Sequence, residues 1–330
     1  MLHRMTGSIA LCAALGFAPA AHAAGTRTHV SNAGSDANTA FSCDSAHPCR
    51  TFAAALTVTT PGGEILAIDS SGYGKVVIDR SVSIIAAPGV FAGIGVGAGG
   101  NATGIEIATA GVNVVLRGLA ITGQGGTYGV DMTNGTALIM EDCTVSGFAG
   151  AGVRLFAAAK VRLANLGSHA NSHGLLVGGN TSATVTGSRF FANSIAGVNV
   201  AAASGESTNA SVADSVASGG TYGFTAYAAA GGTARLYVTQ STASGNSYGF
   251  LSSSGGGTAL VSAGRCLVSE NGTGLRASVG ATLHASGNVV SGNNWGMAQQ
   301  TTGVLGSTGD NLVYGNTSPV SGAITLLTTM

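Results

Sequence analysis

The chain repeats one short phrase: Gly129-Val130-Asp131-Met132, Gly152-Val153-Arg154-Leu155, Gly174-Leu175-Leu176-Val177 and Gly197-Val198-Asn199-Val200. Extended in both directions, a Gly followed by a bulky apolar residue stands at 104, 129, 152, 174, 197, 223, 249, 274 and 296, with gaps of 25, 23, 22, 23, 26, 26, 25 and 22 residues. The residue after each Gly is apolar, the next is mixed and the third is mostly apolar or small, which is the in-out-in alternation of a short strand. A second apolar set precedes each Gly, as in Val114-Val115-Leu116 and Val161-Arg162-Leu163, and a third appears as Leu119-Ala120-Ile121, Cys143-Thr144-Val145 and Leu267-Val268. Self-similarity at such a period marks a solenoid. Two or three short strands per coil, separated by Gly, Ser and Asn, predict an all-β, single-stranded right-handed parallel β-helix. Leucine spacing on a helical segment, or the longer unit of a propeller blade, is absent.

Asn171, Asn246, Asn271 and Asn293 each stand three residues before a coil Gly. Asparagine tolerates left-handed backbone and hydrogen-bonds its own chain at bends. These residues are therefore expected to form a turn stacked coil on coil, in preference to a set of sugar ligands.

Composition narrows the function classes. Thirteen basic and thirteen acidic residues in 330 leave no net charge and no Lys/Arg run to follow a phosphate backbone, which argues against nucleic acid as a partner. Only 8% of residues are charged and 54 are Gly, yet no Gly-x-y triplet runs, so collagen is excluded. Hydrophobic residues reach 45% at a fixed phase, which excludes low-complexity disorder.

At the start, Arg4, an apolar run from Ile9 to Ala20 and Ala21-His22-Ala23 fit a signal peptide cleaved after Ala23. The run is too short to span a bilayer, and no other segment qualifies. Residues 1–23 are thus expected to be removed on export to the periplasm or beyond. Residues 24–63 would form an N-terminal cap segment, 64–315 the β-helix and 316–330 a C-terminal tail or last strand.

Within the cap, Pro48-Cys49-Arg50-Thr51-Phe52-Ala53-Ala54-Ala55-Leu56 reads as a short helix with Pro at its start, and Phe52 and Leu56 are spaced to face the first coil. Pro61-Gly62-Gly63-Glu64-Ile65-Leu66-Ala67-Ile68 and Gly72-Tyr73 follow. This opening resembles the pectin lyase-like superfamily, in which a capping helix leads through a Pro-Gly turn into the first strand. A cap has a physical task, because an open end exposes both core and backbone edge. The resemblance implies the fold over nearly the whole chain after residue 23. It implies little about activity, since the superfamily holds lyases, hydrolases, esterases, tailspikes and adhesins.

Four Cys follow the signal segment. Cys43 and Cys49 flank a five-residue loop in an exported chain, and a local disulfide bracing the cap is expected. Cys143 and Cys266 share a phase of the repeat but lie five coils apart. At roughly 4.8 Å per coil that is about 24 Å, so they should be separate buried thiols.

Catalytic constellations are incomplete. A polygalacturonase-like set needs acidic pairs around Gly-His-Gly, whereas His173-Gly174 follows Ser172; a pectin methylesterase-like set needs Arg before Trp, whereas Asn294 precedes Trp295. The one surviving column is Glu106, Asp131 and Arg154, at the outward position two after Gly on consecutive coils. Two stacked carboxylates either raise one another's proton affinity or hold a cation such as Ca²⁺. The resemblance adds that pectate lyase-like members bind Ca²⁺ and uronate with acids on stacked strands while an Arg removes a proton. Glu106, Asp131 and Arg154 are accordingly the candidate catalytic residues, and Glu106 and Asp131 the candidate metal ligands; the simpler reading is a surface ladder in which Arg154 offsets Asp131. Glu141-Asp142 is a second acidic pair, with one member expected at a bend. Tyr128, Tyr222 and Tyr248 stand immediately before a coil Gly, as does Trp295, in a stripe that either packs or stacks on sugar rings.

The complete fold signature without a complete catalytic set predicts a non-catalytic exported surface for polysaccharide binding, adhesion or a structural role. The alternative is a divergent polysaccharide lyase or hydrolase acting on acidic polysaccharide.

Overall fold

The computed structural model describes residues 25–99 and 102–328, so the signal segment ending at Ala23 lies outside the described residues. The coils stack into three parallel sheets of 13, 11 and 11 strands. Each coil visits them in a fixed order, as in Lys160–Ala164 of the first sheet, Gly167–His169 of the second and His173–Val177 of the third. Pairing is parallel throughout the three ladders, and every third strand in sequence meets in register: Val130 lies beside Ile105 and Val153, and Leu138 beside Val114 and Val161.

Alternation turns one side of each strand into a common interior. The Gly-apolar phrase supplies its widest column, in which Ile105, Val130, Val153, Leu175, Val198, Phe224, Phe250 and Leu275 are all fully buried. Phe224 and Phe250 stack inside it with centroids 5.1 Å apart. At about 1.5–3 kcal/mol for each large apolar side chain removed from water, this column is a principal source of stability. The phrase glycines themselves sit against the neighbouring coil: a Cβ at Gly152 would come 2.6 Å from Ser168 Oγ, and one at Gly174 2.7 Å from the Gly197 carbonyl oxygen.

The corner between the second and third sheets is built from asparagine. Asn171, Asn246, Asn271 and Asn293 are buried there, and each side-chain amide both donates to backbone carbonyls of its own or the preceding coil and meets the next coil's asparagine. Asn193 and Asn316 extend the ladder. These side chains are consumed by the stack, as the turn reading requires. A left-handed residue turns the chain at this corner and at the one between the first and second sheets alike, as with Ala170 at φ 55° and Glu270 at φ 58° here and Asp142 at φ 54° and Asn165 at φ 53° there.

The third corner differs. The chain needs only the six steps from Val177 to Ala183 to pass from the third sheet to the first, but ten from Val200 to Ala210 and ten from Ala226 to Leu236. In three successive coils the strands lengthen to Ala196–Ala202, Tyr222–Ala229 and Tyr248–Gly255, raising a ridge along one margin of the third sheet.

At the N-terminal end the helix Phe52–Val58 buries Phe52, Ala55 and Leu56 against the first coils. It starts after Pro48 because Thr51 caps it, with Thr51 Oγ1 accepting from Ala54 N, while Asp36 accepts the backbone N–H groups of Arg50 and Thr51. Cys43 and Cys49 form the expected disulfide, with Cα atoms 5.0 Å apart and both residues buried. Ladder pairing extends to both sides of residues 64–315: Gly25–Val30 pairs with Thr59–Ala67, and Ser318–Ser321 and Thr325–Leu326 still pair with the coil before them.

Candidate functional site

The predicted column exists. Glu106, Asp131 and Arg154 are consecutive register partners on the outer face of the third sheet. What it does is decided by the guanidinium. Arg154 Nε donates to Asp131 Oδ1 at 2.7 Å and Nη2 to Oδ2 at 2.8 Å, a two-pronged pair that leaves the aspartate only 7% exposed. Asp131 in turn holds the Arg154 guanidinium above its ordinary pKa, against the opposing effect of burial. The arginine also lies over the Tyr128 ring at 4.3 Å and near Phe156 at 5.3 Å, and donates to Tyr128 Oη at 3.3 Å.

Glu106 is not drawn into this pair. Its exposed side chain faces an open cavity of about 470 Å³ between the capping helix and the third sheet, lined also by Leu56, Thr57, Lys75 and Asp79. The donor set does not fit a calcium ion, because both Asp131 oxygens are taken by Arg154 and a cation would have to displace a guanidinium. Among the described residues no group of three His, Cys, Asp or Glu is placed to hold a metal.

Glu141 and Asp142 have separate structural tasks. Glu141 bridges Arg117 at 2.7 Å and Arg162 at 3.1 Å on the outside of the first sheet, while Asp142 sits at the bend and accepts from Asn165 Nδ2 at 2.9 Å. Cys143 and Cys266 are separate buried thiols. Each Sγ donates to nearby carbonyls, and burial pushes the Cys143 thiol up to about 11.

A second arginine station, on the same outward column near the other end of the third sheet, was not singled out from sequence. Arg276 lies over the Tyr248 ring at 5.2 Å, donates to Tyr248 Oη at 3.2 Å and to Gln300 Oε1 at 2.7 Å. No carboxylate forms an ion pair with it among the described residues, so its charge is free to meet an anion. Beside it Trp295 is 45% exposed, and Arg276, Trp295, Gln299 and Gln300 line an open cavity of about 190 Å³. The signal available was positional: Arg276 holds the same place after Gly274 as Arg154 after Gly152, and Trp295 the same place as the tyrosines.

The aromatic stripe is thus divided. Tyr222 and Tyr248 stack on each other at 5.7 Å and are half-buried, whereas Trp295 presents its ring to solvent. His173 occupies the stripe position one coil beyond Ala151; burial lowers its pKa, and Nδ1 lies 3.2 Å from Ser172 Oγ.

The family model described as the right handed beta helix region matches residues 103–271, which is 169 of 330. Among solved structures, pectate lyase Pel9A superimposes with a TM-score of 0.64 at 15% identity, over 90% of this chain and 81% of its own. The A-module of the mannuronan C-5 epimerase AlgE4 of Azotobacter vinelandii gives 0.56 at 13% identity, over 82% and 91%. An alginate lyase from Paenibacillus sp. str. FPU-7 gives 0.54 at 14% identity, over 91% and 100%. No curated protein sequence matches the chain. At these identities the likeness is one of fold.

Proposed function

We propose that this chain, which belongs to the right-handed β-helix family, is an exported protein that binds acidic polysaccharide along the outer face of its third sheet. The observation that carries the reading is the Arg276 station, where an exposed indole, a guanidinium without a carboxylate partner and two glutamine side chains share one shallow cavity. A sugar ring stacks on Trp295 through its apolar face, while Arg276 and the glutamines meet carboxylate and hydroxyl groups. Arg154 plays a smaller part because Asp131 already neutralises it. The lyases and the epimerase of similar fold are named for pectate, alginate and mannuronan, which supports a polyuronate as the first ligand to test. The Cys43–Cys49 disulfide supports an oxidising compartment.

Binding without turnover is the form of the proposal, since Asp131 is locked to Arg154 and Glu106 stands apart from both. The test is calorimetry and product analysis of the purified protein with oligogalacturonate, alginate oligomers and neutral glycans, with and without Ca²⁺. Binding of an acidic oligomer that Trp295→Ala and Arg276→Ala each weaken by about tenfold, near 1.4 kcal/mol, is the expected result. No binding across the panel would sink the reading. New reducing ends or 4,5-unsaturated products would replace it with the divergent lyase or hydrolase alternative.

A further inference from the structure

The chain holds two Asn-Gly pairs, and both continue with the same residue: Asn134-Gly135-Thr136 and Asn271-Gly272-Thr273. Such a pair is chemically reactive, because the glycine nitrogen has no side chain beside it to hinder attack on the asparagine amide. The fold places these two equal sequences in opposite surroundings. Asn271 is 3% exposed, its Oδ1 accepts from Asn246 N and Nδ2, and its Nδ2 donates to the Ala243 carbonyl. Gly272 N–H donates to the Asn246 carbonyl at 2.9 Å. Nucleophile and electrophile are both held in the ladder.

Asn134 lies at the corner between the third and first sheets, where the chain leaves Tyr128–Met132 for Ala137–Glu141. The N–H groups of Thr133 and Asn134 donate to the Ile107 carbonyl and that of Thr136 to the Val112 carbonyl, so both flanks are pinned to the preceding coil. Between them the Asn134 side chain is exposed, and the Gly135 nitrogen meets no backbone carbonyl among the described residues. It donates instead to Asn134 Oδ1 at 2.9 Å, which brings it beside the amide carbon that bears this oxygen. The turn itself demands the glycine, since its φ of 107° is strained for any residue with a side chain. This corner therefore keeps the glycine and leaves its asparagine unprotected.

We propose that Asn134 is a self-modifying site, at which the folded chain converts its own side-chain amide to a carboxylate with water as the only co-reactant. Hydroxide removes the Gly135 N–H proton, and the freed electron pair bonds the nitrogen to Asn134 Cγ. The Cγ–Nδ2 bond breaks, and the amide group leaves as ammonia after taking a proton from water. Water then opens the cyclic imide at either carbonyl, leaving an aspartate at position 134 or its isomer in which the backbone runs through the side-chain carbon. No oxidant or reductant takes part, and each conversion adds one negative charge. That charge stands six coils from Arg276, roughly 29 Å at about 4.8 Å per coil, well beyond the ~8 Å over which salt screens it. Ligand binding at Arg276 is therefore independent of the modification.

Incubation of the purified full chain in mildly alkaline buffer, followed by isoelectric focusing and mass analysis of its peptides, tests this. In the folded protein the acidic form should accumulate at Asn134, faster as pH rises, and at least about tenfold faster than at Asn271, which reacts only when the ladder opens. In denaturant the two rates should converge, because the pairs share one local sequence. Asn134→Gln, whose longer side chain closes a less favoured ring, should suppress the new acidic form, and Asn134→Asp should focus with it from the start. Equal rates at the two positions in the folded protein, an Asn134 that stays intact while the denatured chain reacts, or an acidic form that appears as fast in Asn134→Gln would each overturn the inference.

Discussion

Replacing Asn271 with alanine measures what holds the coils in step. The side chain is 3% exposed, and its amide nitrogen lies 3.0 Å from the carbonyl oxygens of Ala243 and Ser269 and from Asn293 Oδ1. Its oxygen accepts from Asn246 N at 3.0 Å and Asn246 Nδ2 at 3.1 Å. An amide has two hydrogens, so about two donated and two accepted bonds are made at once, each contributing on the order of 1 kcal/mol net. Alanine removes them and leaves the Asn246 N–H and the Ala243 carbonyl buried without their partner, so the loss should reach about 3–5 kcal/mol. Asn294, exposed and one residue beyond Asn293 in the next coil's copy of this turn, is the control; its alanine variant should lie within about 0.5 kcal/mol of wild type. Urea unfolding of the three proteins, followed by far-ultraviolet circular dichroism, gives the comparison. A loss below about 1 kcal/mol for Asn271→Ala, or one equal to that of Asn294→Ala, would show that water replaces the ladder and that the backbone alone sets the corner.

Three further outcomes are expected. Calorimetric titration of wild type with millimolar Ca²⁺ should give no heat at Asp131, and Asp131→Asn should cost about 1–3 kcal/mol by stripping the charge from a well-formed pair; binding heat that Asp131→Asn abolishes would restore the calcium reading. Cys143 and Cys266 should resist a thiol reagent at pH 8 until denaturant is added, since burial raises both thiols, Cys143 to about 11; rapid reaction of the folded protein would contradict their placement. Stability should fall on acidification below the ordinary aspartate value of 3.8. Burial pushes Asp69 up, but hydrogen bonds from Tyr73, Ser31 and Asn32 N outweigh it and hold the carboxyl low, and Arg80 does the same for Asp79. A group whose folded pKa is depressed adds stability above its unfolded pKa and loses it as pH drops through the folded one. Thermal melts of wild type and Asp69→Asn from neutral pH downward should converge; a constant difference between them would refute that assignment.

The repeat was legible because a β-helix writes its register into the phase of one glycine and one apolar residue. Glu106, Asp131 and Arg154 could be stacked from sequence for that reason alone. Where the long side chains point was not legible: the same column that lines up two carboxylates lets Arg154 fold back over Asp131, leaving Glu106 to a different cavity. The Arg276 station is hard to see in sequence, since Arg276 and Trp295 belong to adjacent coils and become neighbours only when the stack is built. The capping helix starts one turn after Pro48, although that Pro resembles a helix start, because Thr51 supplies the side chain that closes it.

The uneven corners have a consequence for how such a chain changes over generations. In the coils between Glu141 and Val289, passage from the first sheet to the second always takes three steps, as from Ala164 to Gly167 and from Thr186 to Arg189, and the asparagine corner is nearly as rigid. Through these coils most of the extra residues enter at the corner between the third and first sheets, without disturbing the stack. Insertions and deletions there are tolerated by the scaffold and fall on the border of the surface carrying Arg276 and Trp295. Length variation in these coils is thereby channelled to a margin where it reshapes recognition, and the fold keeps inheritance of its frame separate from divergence of what it touches.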